Sequence, residues 1–133
     1  MKFPLIICTY MRPKPLLQLL QTIEKQTVYP DEILIIDGSV DEQTKALFHQ
    51  HSFRNLHYFL VSADERGLTK QRNYGVKKVA ESSEIVCFLD DDTLLEANYF
   101  EELMNTYKKY PDALGVGGFI NNEVNWTKVE DDY

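Results

Sequence analysis

Residues 85–95 read IVCFLDDDTLL: five apolar residues run directly into three consecutive aspartates. The apolar part has strand length and no alternation, which fits a parallel strand covered on both faces. The same arrangement recurs outward from it. Leu5–Cys8 is followed by Thr9 and Tyr10, and Ile33–Ile36 by Asp37-Gly38-Ser39. Leu56–Val61 and Ala113–Phe119 are further runs of this kind. Helix-period stretches lie between them. After Pro13 and Pro15, which suit a first helical turn, Leu16, Leu17, Leu20 and Ile23 share one face. A second stretch after Asp41 puts Leu47, Phe48 and His51 on one stripe, and a third, Leu68 to Ser82, turns Val76, Val79 and Ala80 inward. The fourth runs from Asn98 to Tyr110, with Tyr99, Leu103 and Tyr107 in one row and Phe100 and Met104 in the next; Pro111 stops it. Alternating strands and helices imply right-handed crossovers. The expected fold is α/β, a doubly wound and mainly parallel sheet flanked by helices. Such sheets bind ligands outside the carboxyl ends of their strands, where the polar residues above fall.

The chain has 133 residues and a net charge of −7. A nucleic-acid partner is not expected, because binding nucleic acid needs a basic face. No apolar run approaches the ~20 residues of a membrane-spanning helix, and the N-terminus lacks the apolar core of a secretory signal. Cys8 and Cys87 both sit inside apolar runs and read as buried thiols of a reducing compartment. The expected location is cytoplasmic, with peripheral attachment to the inner face of the membrane compatible. No repeat or linker divides the chain.

Three adjacent carboxylates repel one another unless something positive neutralises them. Oxygen ligands at a strand end suit a hard divalent cation, Mg²⁺ or Mn²⁺. Alternation along an extended segment would turn Asp90 and Asp92 one way, toward a metal, and Asp91 the other. The competing reading is a solvated acidic turn. Residues 65–75, ERGLTKQRNYG, gather Arg66, Lys70 and Arg72 at the start of the third helix, where Gly67 permits close backbone approach and a helix N-terminus favours anions. These cations could balance a diphosphate or simply form a solvated basic face. Asp37 closes its strand beside a Gly-Ser turn, and Ser39 or Asp41 can cap the next helix. The first loop, CTYMRPKP, has no glycine, which counts against a dinucleotide cofactor or a phosphate-cradling P-loop. His49, His51 and His57 lack metal-ligand spacing with the cysteines, and Trp126 near the end could line a sugar site.

Four segments together resemble the nucleotide-binding N-terminal half of family 2 glycosyltransferases with the GT-A fold. TYMRPKPLLQLLQTIEKQT (9–27) is similar to the family's opening loop and helix, and IIDGSVDEQT (35–44) to its D-G-S-x-D element. RGLTKQRNYGV (66–76) resembles its R-G-L-S-x-x-R-N-x-G segment, and CFLDDDTLL (87–95) its D-x-D-type motif. The resemblance runs from about Phe3 to Phe119. It implies that Cys8, Thr9 and Tyr10 border the nucleoside and that Asp37 hydrogen-bonds the base. It places Arg66 near the base or diphosphate, with Lys70 and Arg72 as further candidates, and sends Asp91 to the ribose and Asp92, with Asp90, to the metal. The sequence departs from the family's frequent residues at Cys8 (Pro), Met11 (Asn), Ile36 (Asp) and Glu65 (Asn).

The implied activity is transfer of a sugar from a nucleotide-diphosphate sugar, a UDP-sugar favoured, to a hydroxyl on a glycan, lipid-linked or other acceptor. The transfer would be inverting and metal-dependent. Residues 1–120 would form the donor-binding domain and 121–133 a tail or the start of an acceptor half, with the general base expected beyond Tyr133. Glu130, Asp131 and Asp132 lie too close behind Asp92 for that role. A sheet edge left open after Ala113–Phe119 would favour homo-oligomers. Competing readings are a non-catalytic nucleotide-sugar-binding module and a Mg²⁺-dependent phosphatase of the haloacid dehalogenase type. The D-x-D strand of the latter normally opens its domain.

Overall fold

A computed structural model describes residues 2–120. Four of the apolar runs form strands: β1 (Pro4–Thr9), β2 (Glu32–Asp37), β3 (Leu56–Leu60) and β4 (Cys87–Asp90). All pair in parallel, in the order β3-β2-β1-β4. The two central strands carry the longest uninterrupted burial, from Leu5 to Ile7 and from Ile33 to Asp37. Both of their faces are covered, so nothing forces polar residues to alternate into them.

The helices are α1 (Pro13–Glu24), α2 (Gln43–Gln50), α3 (Leu68–Lys78) and α4 (Tyr99–Lys109). Leu5, Ile7, Ile33 and Ile35 point to one face, where α1 supplies Leu16, Leu19, Leu20 and Ile23, and α4 supplies Phe100, Leu103 and Met104. Leu47 and Phe48 of α2 pack on the same cluster, and the Phe3 and Phe100 rings meet at 5.3 Å between centroids. Each such fully buried side chain contributes about 1.5–3 kcal/mol through area removed from water. Ile6, Leu34 and Ile36 point to the opposite face with Val61, and α3 covers them through Tyr74. Winding therefore reverses. From β3 at one edge the chain crosses by α3 to β4, on the far side of β1. That reversal separates the loops after β1 and β4 and opens a crevice between their carboxyl ends.

Four expectations need correction. The third helix ends at Lys78, and its inward residues are Gln71 and Gly75, whereas Val76 and Ala80 are exposed. A Cβ at Gly75 would lie 2.8 Å from Ile6 Cγ2 and 3.2 Å from its Cδ1. The helix sits close to the sheet at Gly75, and apolar contact with that face comes from Tyr74 and from Val79, half-buried just past the helix end as expected. In α1 it is Leu19, not Leu17, that is fully buried, and His51 lies beyond the end of α2, exposed and stacked on Phe53. Ala113–Phe119 forms no strand: it contains three glycines, has no hydrogen-bonded neighbour strand, and leaves Leu114 and Phe119 exposed. Trp126, Glu130, Asp131, Asp132 and the proposed 121–133 tail lie outside the described residues. No described helix is long and apolar enough to cross a membrane.

Candidate functional site

The crevice at the switch point holds a cavity of about 590 Å³, within the range of small-molecule sites. Its walls come from three strand ends. The end of β1 and its following loop supply Cys8, Thr9, Tyr10 and Arg12; the turn into α3 and its first residues supply Arg66, Gly67, Leu68 and Gln71; the end of β4 and its following turn supply Asp90, Asp91 and Asp92.

The loops are stitched by short hydrogen bonds. Gly38 N–H donates to Thr9 O at 3.0 Å, and Met11 N–H to Ser39 Oγ at 2.8 Å. Met11 adopts a left-handed backbone conformation, φ 56°. Gln71, 3% exposed, is the central tie. Its Nε2 donates to Ile36 O at 2.8 Å and Thr9 O at 3.2 Å, while its Oε1 accepts from Gly67 N–H at 3.0 Å. One side chain thus fixes the ends of β1 and β2 and the start of α3. Gly67, with φ 126°, makes the turn that an L side chain would resist.

The acidic triplet divides differently from strict alternation. Asp91 is buried, with Oδ2 accepting from Thr9 Oγ1 at 2.9 Å and Oδ1 lying 3.2 Å from Arg12 Nη1. Asp92 Oδ2 lies 3.3 Å from Arg12 Nη2, so Arg12 bridges these two carboxylates. Asp90 turns instead to Arg72, whose Nη2 lies 3.8 Å from Asp90 Oδ1. Asp91 and Asp92 therefore share the Arg12 guanidinium, while Asp90, which also lines the cavity, pairs with Arg72. Arg12 can reach both because it sits at the N-cap of α1, beside the end of β1. Burial raises the Asp91 pKa, opposed by the Thr9 hydrogen bond and the Arg12 charge. Burial also pushes the Cys8 thiol up to about 11, with Arg72 acting the other way. The thiol form of Cys8 is therefore favoured at neutral pH.

Cys8, Thr9, Tyr10, Arg66, Asp90, Asp91 and Asp92 thus come together as the sequence suggests. Arg66 Nε donates to Gly38 O at 2.6 Å, and its guanidinium lies 6.0 Å from the Tyr10 ring centre. Three residues do not join them. Lys70 is exposed, its Nζ on Asp64 O at 3.1 Å. Arg72 stands outside the cavity, over the Phe88 ring. Asp37 is fully buried behind it, Oδ1 accepting from Ser39 N–H at 2.9 Å and Oδ2 from Tyr58 Oη–H at 2.6 Å. Its carboxylate holds the turn, the alternative the Gly-Ser sequence leaves open, and presents no free face to a base. Asp41 Oδ1 accepts from Gln43 N–H at 3.1 Å in a local turn ahead of α2, whose N-cap position is Glu42 without a side-chain cap bond. Arg12 and Gln71 are the additions that structure makes.

Among the described residues no three His, Cys, Asp or Glu side chains converge as a metal site. Asp91 and Asp92 nonetheless present two hard carboxylates on one side of the cavity. Two carboxylates completed by phosphate oxygens and water suit Mg²⁺ or Mn²⁺, which seldom use an all-protein cage.

The sequence profile of Glycosyl transferase family 2 matches residues 5–132, the crevice loops included. The chain belongs to this family. It is similar to a glucosyl-dolichyl phosphate glucuronosyltransferase of Haloferax volcanii, 27% identical over 125 residues that cover 90% of this chain and 38% of the relative. Among solved structures, Staphylococcus aureus TarS 1–349 in complex with UDP-GlcNAc superposes with a TM-score of 0.71 at 22% identity, over 92% of this chain and 39% of that one. A Pyrobaculum calidifontis mannosyltransferase in complex with GDP-Man and Mn²⁺ gives 0.63 at 24% identity, over 87% and 34%. The glycosyltransferase family 2 chain described here thus spans well under half the length of these relatives. Its parallel sheet with helices on both faces is the GT-A, Rossmann-like arrangement.

Proposed function

We propose that residues 1–120 are the donor-binding domain of a glycosyltransferase that moves a sugar from a nucleotide-diphosphate sugar, a UDP-sugar favoured, to an acceptor hydroxyl with inversion. The observation that carries this reading is the cavity at the β1/β4 switch point, which Asp91 and Asp92, bridged by Arg12, line together with Arg66. A nucleotide sugar needs both signs of charge close together, cations for its diphosphate and carboxylates for its ribose hydroxyls and its metal. Similar folds have been solved in complex with UDP-GlcNAc and with GDP-Man plus Mn²⁺, which is compatible with it.

Tyr10 offers a ring face and the Cys8–Thr9 backbone a wall for the nucleoside. Arg66 and the Gly67–Leu68 turn stand where an anionic diphosphate gains from a guanidinium and from the first amides of α3. Asp91 and Asp92 would hold Mg²⁺ or Mn²⁺, which screens the negative charge that the diphosphate develops as it leaves. In the transfer, the acceptor oxygen forms a bond to the anomeric carbon as the bond to the diphosphate breaks, and a base takes the hydroxyl proton. A glycan or lipid-linked acceptor, and a cytoplasmic site of action at the inner membrane face, complete the reading.

Calorimetric titration with UDP and GDP, each with and without Mn²⁺, tests it. UDP should bind more tightly with Mn²⁺, and Asp92→Asn should remove most of that increase. Absence of nucleoside diphosphate binding by the folded chain would refute the donor site. Binding indifferent to both metal and substitution would refute the metal role.

A further inference from the structure

Arg12 makes an unusual pair of contacts. Its two terminal nitrogens do not grip one carboxylate in a fork; they touch two different ones, Asp91 at 3.2 Å and Asp92 at 3.3 Å. Bridging two neighbouring carboxylates is what a divalent cation would do at the same place. Thr9 already donates to the other oxygen of Asp91, so both oxygens of that group face donors. The Arg12 and Asp92 side chains are about half exposed, 48% and 56%, so that pair is weak enough to exchange, whereas the Asp91 carboxylate is 8% exposed and keeps its Thr9 donor when Arg12 leaves.

We propose that Arg12 is the resident cation of this site: it bridges Asp91 and Asp92 before the donor arrives, competes with the divalent ion for them, and is displaced when the ion binds. The inference rests on the metal reading above. An ion within ~2 Å of a carboxylate oxygen that also lies ~3 Å from a guanidinium leaves two like charges about 5 Å apart or less, which repel. Free metal therefore binds poorly while Arg12 is in place. A diphosphate changes the balance, because its negative charge gives the displaced guanidinium and the ion a common partner. Metal and donor then bind synergistically, each raising affinity for the other by the same factor.

The test counts free Mn²⁺ by electron paramagnetic resonance in titrations of the folded chain, with and without UDP. Arg12→Gln should bind Mn²⁺ without UDP roughly threefold to thirtyfold more tightly than wild type, the worth of one exposed ion pair and one whose carboxylate is shielded. Arg12→Lys, with a single nitrogen, should fall between them. The synergy between UDP and Mn²⁺ should shrink in Arg12→Gln. Equal or weaker Mn²⁺ binding by Arg12→Gln, with wild type binding Mn²⁺, overturns the proposal and leaves the metal reading standing. UDP binding with no Mn²⁺ binding by either protein overturns the metal reading, and the proposal with it.

Discussion

Replacing Gln71 should damage stability and ligand binding together, because one buried amide ties three cavity-forming segments. Gln71→Leu keeps the volume roughly constant but deletes bonds to Thr9 O, Ile36 O and Gly67 N–H. At about 0.5–1.5 kcal/mol net each, the three bonds amount to roughly 1.5–4.5 kcal/mol. Thr9 O keeps its bond from Gly38 N–H, and the leucine buries some apolar surface, so the expected loss is about 2–3 kcal/mol. For a chain of this size that corresponds to a fall in Tm of roughly 6–15 °C. Thr9 and Gly67 line the cavity, so UDP affinity should fall as well. Gln71→Glu separates packing from donation: it retains an acceptor for Gly67 N–H but turns a carboxylate toward two carbonyl oxygens. It should be worse than leucine at neutral pH and recover as the carboxyl protonates. Gly38→Ala attacks the same tie from outside, since a Cβ there would stand 2.8 Å from Gln71 Oε1. Combined with Gln71→Leu it should cost less than the sum of the two. The assay is urea unfolding followed by circular dichroism, paired with UDP calorimetry on the folded variants. A Gln71→Leu protein within about 0.5 kcal/mol of wild type, with unchanged UDP affinity, would refute the reasoning.

Two further outcomes follow from the same geometry. Burial raises the Asp91 pKa, so its contribution to stability is present below the unfolded value near 3.8 and is lost as pH rises through the folded value. Asp91→Asn should therefore raise the urea midpoint at pH 7, with the gain vanishing near pH 3.8, while Mn²⁺-dependent UDP binding is lost; a lower midpoint at pH 7 would contradict this. Met11→Asn, at a left-handed position that asparagine tolerates and methionine does not, should stabilise the chain by about 0.5–1 kcal/mol in the same assay, and a decrease would show that the Met11 side chain packs usefully.

What the sequence made legible follows from where burial is symmetric. β1 and β2 are covered on both faces, so Leu5–Cys8 and Ile33–Ile36 stand out as unbroken apolar runs. Helix α4 rests on one broad face, so its rows of Tyr99, Leu103, Tyr107 and of Phe100, Met104 are readable by period alone. Helix α3 breaks that logic. It meets the sheet through a glycine and a hydrogen-bonding glutamine, and hydrophobic periodicity is blind to both. Ala113–Phe119 misleads for the converse reason: apolar composition does not distinguish a strand from a segment with no strand beside it. Within the site, a residue's place at a strand end was readable but its direction was not. Asp37 and Asp91 both follow apolar runs, yet one turns back to Ser39 and Tyr58 and the other lines the cavity. Arg12 escapes the sequence altogether, because its partners lie about 80 positions away and only the β1–β4 pairing brings them near.

The charge arrangement bears on the order of binding. Around the β4 end, three aspartates face two arginines, Arg12 and Arg72, and the chain as a whole carries −7. A nucleoside diphosphate approaching alone meets repulsion that Arg66, already donating to Gly38 O, only partly offsets. A divalent ion approaching alone meets Arg12 across the two carboxylates that would receive it. Neither ligand is well served without the other. On the proposed reading, a divalent ion arriving with the donor would be held by Asp91 and Asp92 and would offset their charge and part of the diphosphate's, leaving Arg12 free to pair with phosphate oxygens. If that reading holds, the crevice would discriminate against free metal and against free nucleotide by the same device. Its selectivity for the ion-paired donor should weaken with rising salt most for Arg12 and Asp92, the exposed members, and least for Asp91, which is shielded by Thr9 and by burial.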